Sequence, residues 1–209
     1  MPITFDKIFP DGSHLALWDI EEDEDFFLSS LNSNANEQDR LNKFTAKHRR
    51  LEWLSVRLLL QTILKKTIRI VYDSYGRPTL PDENIFLSIS HSKNMAGIFI
   101  HPQKKPGLDI EFISNKVEKV KHKFMSQTEL EQLSHENHSN ELLLYWCAKE
   151  CLLKIYGRKD IDFIKHLKIY PFAYTNKGSF KAEIRINEAH STHTMWHINY
   201  NNYFIVFGF

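Results

Sequence analysis

Two carboxylates stand two residues apart in the segment GLDIEF, residues 107–112, where apolar residues alternate with Asp109 and Glu111. This period of two predicts a β-strand with one apolar face. Residues i and i+2 of a strand share a face with Cα atoms about 6.5–7 Å apart, so the two acids would lie side by side. Like charges there are unfavourable unless water, a base or a metal compensates them. The pattern alone leaves open an exposed polar strand face and a cation site.

A second segment places charged residues at helical spacing. In YWCAKECLLKIYG, residues 145–157, Glu150 and Lys154 are four residues apart and would lie one turn apart on the same side of a helix. An ordinary surface pair of this kind contributes only about 0.2–0.5 kcal/mol. The spacing by itself therefore indicates no chemistry.

Two shorter segments could contact a phosphate or a base. In LSISHSKN, residues 87–94, Ser88 and Ser90 share one face of a predicted strand and His91 stands at its end. Hydroxyls, backbone amides and an imidazole at a strand end can hold a phosphate, although a plain polar turn fits the same letters. The segment YGRP predicts a tight turn with Arg77 at its tip.

The elements around these segments follow the order strand, helices, strands, and then repeat that order. The first set comprises a strand at His14–Ile20, a long helix over Asn36–Lys66 and strands at Ile68–Tyr72, Phe86–Ser90 and Met95–Ile100. The second set comprises GLDIEF, helices at Val117–Phe124, Ser126–Leu133 and Glu141–Tyr156, and further strands after them. This order predicts an α+β fold.

The repeated order is accompanied by a weak internal duplication. WLSVRLLL, residues 53–60, and WCAKECLL, residues 146–153, share a tryptophan and two leucines. A Lys-Phe pair precedes each of them, at 43–44 and at 123–124. We therefore expect two similar α+β halves about a pseudo-twofold axis, with a site at their interface. At the position of Glu150 the first copy has an arginine, so chemistry would lie on one helix.

Composition limits the class of protein. The 209 residues are 42% apolar and 25% charged, as in soluble globular proteins, and no apolar run approaches the ~20 residues of a membrane span. No signal peptide is recognised at the first residues, and the net charge of +1 gives no field that would gather nucleic acid. Cys147 and Cys151 are read as free thiols of a reducing compartment. We expect a cytoplasmic protein with neither membrane nor nucleic-acid partners.

The four segments taken in order, GRP, SISHS, GLDIE and WxxKExxxK, resemble the 4'-phosphopantetheinyl transferase family. The resemblance is to its long, pseudo-dimeric type. It implies two similar halves related by a pseudo-twofold axis, each an antiparallel sheet packed against helices. The halves would be residues 1–103, on the coenzyme A side, and residues 104–209, with the metal and the catalytic helix.

The resemblance also implies an activity, that of a holo-acyl-carrier-protein synthase. The 4'-phosphopantetheine group of coenzyme A would pass to a serine of an apo acyl or peptidyl carrier protein, releasing adenosine 3',5'-bisphosphate. Asp109, Glu111 and Glu150 would hold Mg²⁺, which offsets the repulsion between the strand carboxylates. Glu150 would also be the general base, directly or through a metal-bound water, and Lys154 would contact the phosphates.

The coenzyme A site follows from the same resemblance. His91 with Ser90, aided by Arg40 or a nearby basic residue, would hold the 3'-phosphate, and His91 is counted with Glu150 and Lys154 as catalytic. Gly76 and Arg77 would flank the adenine, and Lys154 would complete the site. The basic run His48–Arg50 is instead interpreted as a solvated helix face.

Two other functions remain open: a non-catalytic carrier-binding module and a Mg²⁺-dependent nuclease. The nuclease is disfavoured because the net charge is near zero, and the module because the three acids and Lys154 are all present. The carrier could serve fatty acid or secondary metabolite synthesis. Lysines in Val117–Phe124 would attract an acidic carrier. Two halves in one chain make a monomer sufficient.

Overall fold

Two antiparallel sheets with helices packed against them form the framework of the fold. The structure is a computed structural model and describes residues 3–31, 35–158 and 160–209. The helices are α1 Glu24–Ser30, α2 Ala35–Leu41, α3 Lys47–Leu64, α4 Gln127–Leu130 and α5 His138–Tyr156, with a 3₁₀ helix at Lys116–Lys123. The first six strands are β1 Ile3–Ile8, β2 His14–Asp19, β3 Val71–Tyr72, β4 Pro78–Thr79, β5 Phe86–Ser92 and β6 Met95–His101. The other strands are β7 Gly107–Phe112, β8 Leu167–Ile169, β9 Lys177–Ile186, β10 Ala189–Tyr200 and β11 Tyr203–Gly208.

The strands divide into a first sheet in the order β1-β2-β6-β5 and a second in the order β7-β11-β10-β9-β8. The short pair β3-β4 forms a separate hairpin. All the pairings within the sheets are antiparallel, so the predicted α+β class with antiparallel sheets against helices is confirmed. Within the described ranges, no helix is long and apolar enough to cross a membrane.

Three apolar clusters hold these layers together. One lies between the first sheet and α3, and another between the second sheet and α5. The third lies between the two sheets, where Leu17 and Phe99 of the first sheet are buried with Ile110 and Ile205 of the second. Burial of apolar surface between the sheets fixes their separation, and so places β5 of one sheet beside β7 of the other.

The two sheets repeat one connectivity. In the first sheet β2 pairs with β6, which pairs with β5; in the second β7 pairs with β11, which pairs with β10. The Phe and Trp residues of the internal duplication also make equivalent contacts. Phe44 packs on Trp53 with ring centroids 6.4 Å apart, and Phe124 packs on Trp146 with ring centroids 5.1 Å apart. The pseudo-twofold axis itself, and the division into residues 1–103 and 104–209, stay predictions.

The predicted continuous helix over Asn36–Lys66 is wrong. The chain leaves helical geometry after Leu41 and resumes it at Lys47. The guanidinium of Arg50 donates to the carbonyl oxygens of Leu41 and Phe44 at 2.8 and 3.4 Å, and so satisfies acceptors that a helix end leaves free. The strand predicted at Ile68–Tyr72 is also too long, since only its last two residues pair.

Candidate active site

A row of serine hydroxyls joins the two sheets beside the predicted carboxylates. Strands β5 and β7 are both edge strands and lie next to each other. Side-chain oxygens take the place of backbone acceptors between them. The hydroxyls of Ser88, Ser90 and Ser92 accept the backbone N–H groups of Leu108, Ile110 and Phe112 at 2.9, 3.1 and 3.2 Å, respectively. The carboxylates of β7 are therefore anchored against the first half of the chain.

Asp109 is buried at this junction, so the exposed polar strand face considered from sequence is wrong for it. Its Oδ1 accepts from Lys154 Nζ at 2.9 Å and from Ser90 Oγ at 3.3 Å. Burial raises the pKa of Asp109, and the ammonium of Lys154 opposes that rise. Its Oδ2 is buried and makes no hydrogen bond among the described residues, while the nearby thiol of Cys147 interacts with this carboxylate and slightly opposes the rise of its pKa. An acceptor in that state is suited to a ligand that the chain does not supply.

Glu111 lies nearer the surface and has partners at both oxygens. Oε2 accepts from Lys116 Nζ at 2.6 Å and from Ser92 Oγ at 3.2 Å, while Oε1 accepts from Trp146 Nε1 at 3.2 Å. The tryptophan of the WxxKExxxK segment therefore orients this carboxylate from α5.

Glu150 and Lys154 face β7 from α5. Burial and the nearby charge of Asp109 raise the pKa of Glu150 to about 7, with Lys154 partly offsetting the rise. Lys154 Nζ donates across to the carbonyl of Leu108 at 2.6 Å and to Ser90 Oγ at 3.1 Å, in addition to Asp109. Lys154 is thus bonded to the strand, and its charge also opposes the rise in the pKa of Glu150.

The donor set at this junction suits a hard divalent cation. Within the residues that the structure describes, no group of three or more His, Cys, Asp or Glu side chains is arranged as it stands to hold a metal ion. However, Asp109 contributes a buried oxygen without a hydrogen-bond partner among the described residues, and burial together with the charges of Asp109 and Glu111 raises the pKa of Glu150. Carboxylate oxygens are the ligands that Mg²⁺ prefers. Glu111 would first have to exchange its contact with Lys116.

A cavity of about 410 Å³ opens beside Lys154. Most of the residues predicted to bind coenzyme A line it, and they come from both halves of the chain. They are Arg40, Gly76, Arg77, His91 and Lys154. Ser90 does not belong to the described lining, because its hydroxyl faces β7.

Sequence reasoning missed two polar residues of α3 in this cavity, Arg49 and Glu52. Glu52 Oε1 lies 3.3 Å from His91 Nδ1, and Glu52 Oε2 accepts from Arg49 Nη1 at 2.9 Å. Burial would raise the pKa of Glu52, but His91 and Arg49 outweigh it and hold that pKa below its usual value. Arg49 is nevertheless exposed, as the solvated face predicted for His48–Arg50 implies, whereas Arg50 is half-buried and paired with Glu24. The available signal in the sequence was the spacing of Arg49 and Glu52, a base and an acid three residues apart, directly before Trp53.

Two arginines lie over aromatic rings on the same wall. The Arg57 guanidinium carbon lies 3.2 Å from the ring centroid of Trp53, and that of Arg40 lies 4.2 Å from the centroid of Tyr72. Arg57 occupies the place in α3 that Glu150 occupies in the second copy of the duplication. Guanidinium groups and aromatic faces together suit a ligand with a flat base and phosphates.

The predicted turn at YGRP closes this end of the cavity. Asp73 Oδ1 accepts the backbone N–H groups of Tyr75 and Arg77, both at 2.9 Å, and Gly76 has φ +86°. The turn directs Arg77 against Gly157 at the end of α5, where an added β-carbon would lie 2.7 Å from Arg77 Nη1. The hairpin of the first half thereby meets the end of α5.

Comparison with known families gives one match. Residues 105–207 match the model of the 4'-phosphopantetheinyl transferase superfamily. A search of curated proteins found none that matches the chain. The matched range includes the three predicted carboxylates and Lys154, but not the residues of the first half that line the cavity. Residues 105–207 are thus the part of the chain that is similar to the 4'-phosphopantetheinyl transferase superfamily.

Proposed function

We propose that the protein transfers the 4'-phosphopantetheine group of coenzyme A to a serine of an apo acyl or peptidyl carrier protein, in a Mg²⁺-dependent reaction of the holo-acyl-carrier-protein synthase type. The observation that carries this proposal is the position of Lys154. Its ammonium contacts Asp109 beside Glu150, and the same side chain lines the cavity with Arg77 and His91. One lysine thus connects a cluster of acids with a pocket suited to phosphates.

The cavity provides groups of the right charge for coenzyme A. Arg49, Arg77 and His91 offer cationic or hydrogen-bonding atoms for the 3'-phosphate and the pyrophosphate. Tyr72 and the hairpin at Gly76 offer flat surfaces for the adenine. The match of residues 105–207 to the superfamily supports the same assignment.

The chain's own residues would divide the reaction between them. The carrier serine oxygen attacks the phosphorus nearer the pantetheine, and the bond to adenosine 3',5'-bisphosphate breaks. Glu150 accepts the serine proton, directly or through a water; its pKa of about 7 belongs to the metal-free protein, and bound Mg²⁺ would lower it. The three N–H groups of Lys154 are held by Leu108, Asp109 and Ser90, so the ammonium stabilises the leaving group through its charge and would exchange one of these bonds to donate to a phosphate oxygen. Mg²⁺ held by Asp109, Glu111 and Glu150 would neutralise charge on the pyrophosphate.

Intact-mass spectrometry tests the proposal. Apo carrier protein incubated with the protein, coenzyme A and Mg²⁺ should gain one phosphopantetheine, and Lys154→Ala should slow that gain at least 100-fold. Omission of Mg²⁺ with added chelator should abolish it. Carrier that binds without modification would favour the non-catalytic module, and cleavage of added DNA would favour the nuclease.

A further inference from the structure

The serine row between the sheets has a constant register. Ser88, Ser90 and Ser92 each accept the N–H of the residue 20 positions later, so β5 and β7 run in the same direction. An edge strand otherwise exposes these N–H groups. We call these three hydroxyls the serine ladder. Its first role is to hold the edge of the second sheet.

Two of the three serines also bind a carboxylate. Ser90 Oγ donates to Asp109 Oδ1 at 3.3 Å, and Ser92 Oγ donates to Glu111 Oε2 at 3.2 Å. Ser88 makes the same bond to the backbone without a carboxylate partner among the described residues. Each predicted metal ligand of β7 is thus paired with its own serine, and the third serine is a natural control.

The hydrogen-bonding capacity of Ser90 is fully used. A hydroxyl has one proton to donate and two lone pairs to accept with. Ser90 accepts from Ile110 N at 3.1 Å and from Lys154 Nζ at 3.1 Å, and its proton goes to Asp109. A phosphate oxygen would need that same proton. Ser90 therefore has no donor left for the 3'-phosphate.

We infer that Ser90 and Ser92 are positioning residues: their hydroxyls orient Asp109 and Glu111 for Mg²⁺ and do not donate to the 3'-phosphate of coenzyme A. The inference rests on the proposed function and assigns a role within that same site. The bond from Ser90 holds Oδ1 of Asp109 and leaves the buried Oδ2 free for the cation. Hydrogen bonds that orient metal ligands in this way typically change metal affinity about 10–100-fold.

The test titrates Mg²⁺ by calorimetry into the complex of the protein with coenzyme A. Ser90→Ala and Ser92→Ala should each weaken Mg²⁺ binding about 10-fold or more. Ser88→Ala loses an equivalent bond to the backbone; because Ser88 also lines the cavity, this variant is measured at saturating coenzyme A, where it should keep the wild-type Mg²⁺ affinity. Ser90→Thr keeps the hydroxyl and should restore binding. Coenzyme A affinity in the presence of a chelator should be unchanged in Ser90→Ala, and thermal unfolding in chelator confirms that each variant folds.

Three results would overturn the inference. A loss of coenzyme A affinity in metal-free Ser90→Ala would make Ser90 a ligand contact. An equal loss of Mg²⁺ affinity in Ser88→Ala would mean that the serine ladder only connects the two halves of the chain and does not orient the carboxylates. A wild-type complex that binds no Mg²⁺ would remove the role altogether. Wild-type protein that binds Mg²⁺ normally but leaves the carrier unmodified would contradict only the proposed function.

Discussion

Asp109 on β7 and Lys154 on α5 form an ion pair, and the hydroxyl of Ser90, from the first half of the chain, contacts both residues. Asp109 is buried, and the lysine donates to it at 2.9 Å. From the sequence, we could predict that both residues belong to the site, because their spacing follows the family segments. Their burial against Ser90 was not predictable, because the local pattern does not show what faces a strand.

Asp109→Ala should therefore affect stability as well as function. We expect loss of transfer and of Mg²⁺ binding, together with a free energy of unfolding lowered by about 1–3 kcal/mol, because Lys154 loses its counter-charge in a largely buried place. Urea denaturation and calorimetry measure the two effects. A variant that keeps wild-type Mg²⁺ affinity would contradict the metal assignment.

Glu150→Gln should show how much the charged carboxylate lowers the free energy of unfolding. The pKa of Glu150 in the folded protein is about 7, above the ~4.3 of an unfolded chain, so the folded state holds this proton more tightly. Its contribution to stability is consequently present below about pH 4 and is lost as pH rises toward 7. In chelator at pH 8, Glu150→Gln should be more stable than wild type by roughly 1–3 kcal/mol, and the difference should vanish near pH 4.

Urea denaturation across this pH range checks the prediction, with the exposed Glu188→Gln as the control. A pH-independent difference would mean that Glu150 is not the titrating group. The same variant should lose about 10²–10⁴-fold in turnover, because a base acts in the transition state, while its affinity for coenzyme A changes little. A defect confined to coenzyme A affinity would contradict the role of base.

Among the elements, the 3₁₀ helix Lys116–Lys123 is the one best placed to meet a second protein. It follows the carboxylate strand directly, and two of its lysines are already paired, Lys116 with Glu111 and Lys121 with Glu118. Lys119 and Lys123 are exposed and form no ion pair within the described part of the chain. These two are therefore the charges available to an acidic carrier.

Lys119→Glu combined with Lys123→Glu should slow carrier association at least several-fold and flatten its dependence on salt. Coenzyme A affinity should stay unchanged, because the cavity residues are elsewhere. Stopped-flow association at several salt concentrations measures this. Lys65→Glu with Lys177→Glu makes the same change in net charge outside the 3₁₀ helix and serves as the control; an equal effect in both pairs would place docking elsewhere.

Helices and strands were predictable where the local spacing of apolar residues determines them. They were not predictable where contacts from side chains elsewhere in the chain determine where an element ends. The strand GLDIEF and the helix at Glu141–Tyr156 follow from their apolar spacing, and the helix begins three residues earlier than predicted. The break between α2 and α3 contains neither proline nor glycine, and depends on carbonyl contacts from Arg50 on the next helix. Nothing in the spacing of residues 36–66 could show it.

Over the whole molecule, the two halves share the apolar cluster between the sheets, and Gly97 shows how closely the sheets approach each other. A β-carbon there would lie 2.6 Å from Cδ1 of Ile110 in the other sheet. The order of elements and the duplicated Phe and Trp residues predicted two similar halves, and the structure has one sheet in each. The contact between the sheets was not predictable, since it joins residues with no shared local pattern.

Gly97→Ala should lower the free energy of unfolding by about 1–3 kcal/mol, because the added methyl meets Ile110 and Leu17. Ile110→Val removes Cδ1 and should alone cost about 0.5–1.5 kcal/mol. The double variant should lose at least about 0.5 kcal/mol less than the sum. Denaturant unfolding of all four proteins measures this coupling. Strict additivity, or two separate transitions, would contradict a shared core.

The place of β11 sets an order of events during synthesis. This strand is made last among the described strands, yet it lies between β7 and β10. At translation rates of about 5–20 residues per second, β7 waits roughly 5–20 s on the ribosome for its sheet partner. The first sheet is already synthesised by then, and its serines offer β7 hydrogen bonds in the meantime. The nascent carboxylate strand can thus dock on the finished half before its own sheet exists.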